Sequence, residues 1–282
     1  MNQQNEFELP KKIPTEIDGP VIAIGDVHAH CTGLKLLLEH LKKNIPDYDN
    51  CWLVFLGDYV DRGSECKETI DFLIDLWENR PKTTFVMGNH DLAFSMFNKL
   101  IPEPFKGAFK FHKHLLSPKE YDSKMIDQEN VHLQGLRYRY IYSSDSTFDS
   151  YNVPYSDNVK FQEVLPTKHK HFFRSLPWCV EHPDYIFVHA GIGYEETSLE
   201  KIKKQDLSDP RPTWLCDRLH LEAPKLFNKT IVSGHYGFSE VIFRKNRIIN
   251  DTTAGETPYI TAVLLPNNKV FCLEGKVEIE KN

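Results

Sequence analysis

No CxxC pair occurs among the six cysteines, Cys31, Cys51, Cys66, Cys179, Cys216 and Cys272. A chain of 282 residues can bury a core without a disulfide framework, so reduced thiols in a cytoplasmic setting are expected, each used for packing. No apolar run approaches the roughly 20 residues that cross a bilayer, and no secretory signal heads the chain, so no membrane partner is expected. Positive charge is not in excess: 34 Lys and Arg stand against 40 Asp and Glu, a net −6. That balance argues against general affinity for nucleic acid or an anionic membrane surface. Low-complexity tracts and repeats of whole modules are missing too. Function has to be read from local motifs.

Those motifs recur in one pattern. Five short runs rich in β-branched and aromatic residues, PVIAI, CWLVFL, TTFVM, DYIFV and KTIV, each read as a buried strand. Each stops at a segment carrying Asp, Asn or His. In order these are Gly25-Asp26-Val27-His28, then Gly57-Asp58-Tyr59-Val60-Asp61-Arg62-Gly63, then Gly88-Asn89-His90-Asp91. Two more follow downstream, His189-Ala190-Gly191 and Ser233-Gly234-His235. The carboxyl ends of strands are where open α/β sheets place their sites. Carboxylate oxygen and imidazole nitrogen suit hard and borderline divalent metals, and a shared carboxylate can hold two ions about 3.5–4 Å apart. Asp26, His28, Asp58, Asn89, His189 and His235 supply such a shell. A solitary histidine is ordinarily a surface or core residue; five glycine-flanked, strand-terminal cases in one chain are not ordinary.

Between the motifs, Leu34, Leu37, Leu38 and Leu41 fall on one face of a helix over 32–43. Ile70, Leu73, Ile74 and Trp77 repeat the pattern before Pro81, and a third helix is expected from near Asp91 to Pro102. Strand–loop–helix repetition implies parallel pairing through right-handed crossovers. Residues 102–167 lose the rhythm and hold Phe105, Phe109, Phe111, Tyr121, Tyr138, Tyr140, Tyr142, Phe148, Tyr151 and Tyr155. They read as a partly helical insertion beside the site, its aromatics packing a cap or lining a substrate wall. The close, with NRIIN, YITAVLL and KVFCLE, reads as antiparallel hairpin material. The expected organisation is a leader over 1–19, one catalytic domain over 20–275, and a tail over 276–282.

The ordered set GDVH, GDYVDRG, GNHD, HAG and GH resembles the phosphoprotein phosphatase family of calcineurin-like metallophosphoesterases, in its bacterial serine/threonine form. Weaker likeness extends to Ser146-Thr147-Phe148-Asp149-Ser150-Tyr151, to Phe173-Arg174-Ser175-Leu176-Pro177 and to Asp251-Thr252-Thr253-Ala254. The resemblance implies an α/β fold of two mixed sheets forming a central sandwich flanked by helices. It implies two divalent ions, manganese above all, with iron or zinc as alternatives. Asp26, His28 and Asp58 would hold the first, and Asp58 would bridge to a second completed by Asn89, His189 and His235. Arg62, Asn89 and a second arginine would meet the substrate phosphate; Arg218 is the choice, Arg211 the alternative. His90 would protonate the leaving oxygen, steadied by Asp61. The implied reaction is direct attack of a metal-bridging hydroxide on a phosphomonoester of phosphoserine or phosphothreonine in a phosphoprotein or phosphopeptide, with phosphotyrosine also open. Rivals are a dinucleoside polyphosphate (diadenosine tetraphosphate) hydrolase and a catalytically dead phosphoprotein-binding module.

Several positions depart from the family pattern. His30 replaces a glycine and could be a ligand, a substrate contact or a displaced side chain. Asp91 stands where glutamate is common and is expected to support the ligands indirectly. Asn152 and Thr253 each replace a glycine. The run Lys168-His169-Lys170-His171 is expected on a solvated helix face rather than at a nucleic-acid or phosphopeptide site, and His112-Lys113-His114 is discounted in the same way as a metal site. Tyr236, beside His235, is placed to meet substrate. Oligomeric state has no signal in the sequence.

Overall fold

The computed structural model describes residues 12–101, 142–154, 158–194, 198–204, 213–216, 218–224, 228–252, 256–273 and 279–280. The aromatics Phe105 to Tyr140, Tyr155, the His112–His114 run, Arg211, Thr253 and most of the expected leader and tail lie outside the described residues.

The first ninety residues alternate as the periodicity predicts: β1 (Val21–Ile24), α1 (Cys31–Asn44), β2 (Trp52–Phe55), α2 (Cys66–Asn79), β3 (Thr83–Phe85) and α3 (Asn89–Phe97). Among the described residues of the insertion and its flank, three helices follow: α4 (Asp145–Ser150), α5 (Asn158–Val164) and α6 (Thr167–Ser175). Next come β4 (Val180–Glu181), β5 (Tyr185–Phe187), and the one-turn helices α7 (Glu200–Lys203) and α8 (Thr213–Cys216). The chain then runs through β6 (Thr230–Ser233), β7 (Ile242–Arg244), β8 (Arg247–Ile249), β9 (Ala262–Leu265), β10 (Lys269–Phe271) and β11 (Ile279–Glu280).

These strands form two mixed sheets. The six-stranded sheet has the order β11-β10-β9-β1-β2-β3, and the five-stranded sheet β4-β5-β6-β8-β7. β1, β2 and β3 pair in parallel, as do β5, β6 and β8. β8 departs from the expectation of an all-antiparallel close. The left-handed Asn246 (φ 56°) turns the hairpin from β7, and β8 then lies parallel to β6.

Side-chain alternation explains why two sheets stack. Val21, Ala23, Val54 and Leu56 point one way and meet Phe187, Val232 and Ile248 of the other sheet in a common apolar layer. Ile22, Ile24, Leu53 and Phe55 point the other way, against Leu34, Leu37, Leu41, Ile70, Leu73 and Trp77 of α1 and α2. Burying one such side chain is worth about 1.5–3 kcal/mol, so a strand apolar on both faces needs cover on both. The result is a sandwich with helices outside. Asn250 stitches the sheets together at the loop edge: its Nδ2 donates to Ala23 O (3.0 Å) and its N donates to Ser233 O (2.6 Å).

Two local expectations change. α3 begins at Asn89 rather than near Asp91 and ends at Phe97, because left-handed Lys99 (φ 53°) breaks it before Pro102. The Lys168–His171 run is not simply a solvated face. His169 is buried, its Nε2 3.0 Å from Asp71 Oδ1 and its Nδ1 2.8 Å from Tyr151 Oη, which pins α6 to α2 and to the Tyr151 turn. His171 stacks on Trp77 with ring centroids 6.0 Å apart.

Candidate metal centre

All five motif loops emerge at the same edge of the sandwich, from β1, β2, β3, β5 and β6. Their backbone is strained where the functional side chains sit. His28 (φ 42°), Asp58 (φ 54°), Asp61 (φ 69°), Arg62 (φ 70°) and His235 (φ 75°) all adopt the left-handed region, which costs a non-glycine residue on the order of 1–2 kcal/mol. Neighbouring glycines let the loops close on one another. A Cβ on Gly88 would lie 2.1 Å from Asp58 Oδ1, and one on Gly234 would lie 1.9 Å from Asp26 Oδ1.

Asp91 holds this strained geometry in place. Its Oδ2 accepts from Gly88 N (2.9 Å) and Asp58 N (2.8 Å), and its Oδ1 from Tyr59 N (2.9 Å). One carboxylate thus fastens the second motif to the third. Further links close the ring: His90 N donates to Asp58 Oδ1 (3.0 Å), and His235 N donates to Asp26 (3.1 and 3.2 Å to its two oxygens).

Two clusters of buried ligand atoms result, His28–Asp58–His90 and Asp58–His189–His235, each with its atoms within 4.8 Å of one another. Asp58 belongs to both. Its Oδ2 lies 3.5 Å from His28 Nε2, and its Oδ1 lies 3.3 Å from His189 Nε2. Asp26 Oδ2 is 3.9 Å from His28 Nε2. Asn89 Oδ1 lies 2.9 Å from both His189 Nε2 and His235 Nδ1, and these two nitrogens are 3.2 Å apart. His90, expected as a proton donor, also faces Asp58 Oδ2, at 3.9 Å.

These residues fit divalent cations. Nδ1 of His28 and of His189 meets a backbone carbonyl, Val60 O at 3.1 Å and Leu56 O at 2.7 Å. That contact fixes Nδ1 as the donor and turns the Nε2 lone pair into the site. His28 Nε2 is buried without a hydrogen-bond partner. A cation holding ligands at about 2.1 Å spaces them roughly 3 Å apart, close to the 3.3 Å between Asp58 Oδ1 and His189, the 3.2 Å between His189 and His235 and the 2.9 Å from Asn89 Oδ1 to each histidine.

Electrostatics agree. Burial, with His90 and Arg62, pushes the His28 imidazole well below its usual range, and burial with His189 does the same to His235. Both are therefore neutral, the form that ligates. Burial and the nearby Asp251 push Asp26 well up. Burial alone would raise Asp58, but His189, His90 and His28 hold it well down. Burial would also lower His189, yet Asp58 and Asp26 raise it to about 10. Buried carboxylates are drawing a proton onto that imidazole, and bound cations would meet the same demand.

Beside this centre, His90 Nδ1 is 2.9 Å from Asp61 Oδ2, and His90 Nε2 is 3.4 Å from Nη2 of the exposed Arg62. Sequence reasoning did not find what holds Asp61. Thr147 Oγ1 donates to Asp61 Oδ1 (2.7 Å) and accepts from Asp61 N (3.1 Å). Nor did it single out Tyr142, buried with its ring edge-on to His90 at 4.8 Å and hydrogen-bonded to Asn89. The signals were the STFDSY segment and the aromatic richness of the insertion. Asp251, noticed only as part of a motif, is buried against Asp26 and accepts from Gly237 N (2.6 Å). Arg218 is exposed and close enough for its charge to act on His235. His30 caps the start of α1 beside Glu65 and joins neither cluster. Tyr236 packs edge-on to His235 at 5.9 Å and is largely buried. Among the described residues no helix is long and apolar enough to cross a membrane.

A family model for calcineurin-like phosphoesterases matches residues 19–270. Solved structures share the fold. A cold-active protein-tyrosine phosphatase of the psychrophile Shewanella sp. superposes with a TM-score of 0.58 at 19% identity, covering 96% of this chain and 86% of that one. A protein serine/threonine phosphatase from Saccharomyces cerevisiae gives 0.55 at 15% identity, covering 96% and 85%. A protein proposed to be a diadenosine tetraphosphatase gives 0.51 at 16% identity, covering 93% and 98%.

Proposed function

The chain belongs to the calcineurin-like phosphoesterase family, a family of metal-dependent phosphoester hydrolases, and from that premise we propose that it is a dinuclear phosphomonoesterase acting on phosphoserine and phosphothreonine of proteins. The observation that carries the reading is the position of Asp58, whose two oxygens face two separate histidine groups at 3.5 and 3.3 Å. A divalent pair, manganese by preference, would be held by Asp26, His28 and Asp58 on one side and by Asp58, Asn89, His189 and His235 on the other. Such a pair acidifies water and neutralises charge building on the phosphoryl oxygens.

The remaining work falls to side chains. Arg62 is exposed while the ligands are buried, so the phosphate enters from its side and meets a bidentate guanidinium. Arg218 supplies a second cation at the mouth. His90 Nε2 faces the same space, and its Nδ1 is tied to Asp61. That tie keeps the imidazolium oriented to protonate the leaving serine or threonine oxygen. Thr147 holds Asp61 in turn. No protein nucleophile is needed.

The test is turnover by the manganese-loaded protein over phosphoserine, phosphothreonine and phosphotyrosine peptides and dinucleoside polyphosphates. Hydrolysis of the serine and threonine peptides is expected to dominate. Preferred cleavage of diadenosine tetraphosphate would transfer the same centre to a phosphoanhydride. Binding of phosphopeptides without turnover would make the chain a recognition module.

A further inference from the structure

Arg247 opens β8 and is fully buried, yet no step above uses it. Its guanidinium reaches across the five-stranded sheet to three segments. Nη2 donates to Ala190 O (3.2 Å) and to Ser233 Oγ (2.8 Å); Nη1 donates to Ile248 O (3.1 Å) and Ile231 O (3.4 Å). Its carbon lies 5.7 Å from the centroid of the Tyr236 ring, which stands edge-on to His235. Ala190 follows His189 directly, while Ser233 and Tyr236 bracket Gly234 and His235.

We infer that Arg247 is a positioning residue that locks the loop of His189 to the loop of His235, and so sets the second metal subsite. The two segments already share two backbone bonds, Val188 N to Val232 O at 3.1 Å and Gly234 N to His189 O at 2.9 Å. Both lie along one line of chain; Arg247 adds side-chain anchors to Ala190 O and Ser233 Oγ from the neighbouring strand. A planar fork of donors can join two loops in one fixed geometry, which a leucine of similar volume cannot. The separations that suit a cation, 3.2 Å between His189 and His235 and 2.9 Å from each to Asn89, depend on that geometry. This inference rests on the metal reading of the site.

The experiment compares wild type, Arg247→Met, Arg247→Lys and Ser233→Ala by calorimetric titration with Mn2+ alone, beside thermal melts of the chelator-stripped proteins. Arg247→Met is expected to bind the weaker-held Mn2+ about 10–100-fold less tightly, the usual effect of losing a group that orients a ligand. Arg247→Lys keeps charge but not the fork and should fall between. Ser233→Ala, which removes the 2.8 Å anchor and leaves the arginine, should lose a smaller factor. Metal affinities within about two-fold of wild type, with only the stripped melts lowered, would make Arg247 a scaffold residue and overturn the inference. Should Arg247→Met fail to fold, Arg247→Lys and Ser233→Ala decide it by the same criterion. A wild type that takes up no Mn2+ overturns the metal reading and this inference with it; unchanged variants beside a binding wild type overturn the inference alone.

Discussion

Asp91→Asn replaces a buried carboxyl that touches no proposed ligand atom directly, and its cost can be worked from three hydrogen bonds. The carboxylate accepts from Gly88 N and Asp58 N on Oδ2 and from Tyr59 N on Oδ1. An asparagine has one acceptor oxygen. Its better orientation puts that oxygen in the Oδ2 position, keeping two donors and turning its NH2 group toward Tyr59 N–H. In the protonated form that the fold favours, one acceptor is lost and a buried N–H is left unpaired, at about 1–3 kcal/mol, a sizeable part of the roughly 5–15 kcal/mol that stabilises a typical domain. Burial and then Asp58 push the Asp91 carboxyl up to about 7, so the stability it lends is fullest below its unfolded value near 4 and falls as pH rises through about 7. At about 2–3 °C per kcal/mol for a chain of this size, the metal-free variant should melt about 2–9 °C lower near pH 5, the gap narrowing toward pH 8.5. Because left-handed Asp58 is held by this brace, Mn2+ affinity should fall as well. A metal-free melt within about 2 °C of wild type, with unchanged metal uptake, would refute the claim that Asp91 enforces the loop.

Thr147→Val removes both contacts to Asp61 while keeping shape; kcat should drop about 10–100-fold with Mn2+ affinity near wild type, and an unchanged kcat would separate Asp61 from the work of His90. Burial alone would raise the Asp71 carboxyl, but Lys168, Lys67 and His169 hold it below the ordinary carboxylate range. A depressed carboxylate contributes stability above its unfolded pKa near 4 and loses it as pH falls through the folded value. The melting gap between wild type and Asp71→Asn should therefore be full at pH 7 and shrink below about pH 4; a gap that widens in acid would contradict this. Among the thiols, Cys31, Cys51, Cys66 and Cys179 are buried, and burial pushes Cys179 up to about 12. An aromatic disulfide reagent should react first at the half-buried Cys216 and Cys272, and fast labelling of all six in the native state would show that these packing sites open readily.

What could be read from the chain and what could not differ in range. Asp58 and His28 announce themselves because each sits a few residues beyond a strand and a glycine, so local pattern carries the signal. The same local pattern placed α1 within a residue of its observed ends. Thr147 is 86 positions from Asp61, and nothing near either residue reveals that they meet. Arg247 lies in Arg244-Lys245-Asn246-Arg247, where a basic stretch in a turn ordinarily faces solvent. Only the hairpin at Asn246, which sets β8 parallel to β6, turns that side chain inward. The Lys168–His171 run misled for a related reason: charge suggested a wet face, while His169 finds Asp71 and Tyr151 inside. Pairings of this kind depend on sheet order and helix packing, which short-range periodicity does not encode.

The central claim is that Asp58 joins two metal subsites that His90 serves without holding metal itself. Metal content per chain, measured on Mn2+-loaded and desalted wild type, Asp58→Asn and His90→Asn, tests it most directly. The account predicts two ions in wild type, a loss of at least one in Asp58→Asn, and two retained in His90→Asn although turnover is lost. Two ions and wild-type rates in Asp58→Asn would contradict it.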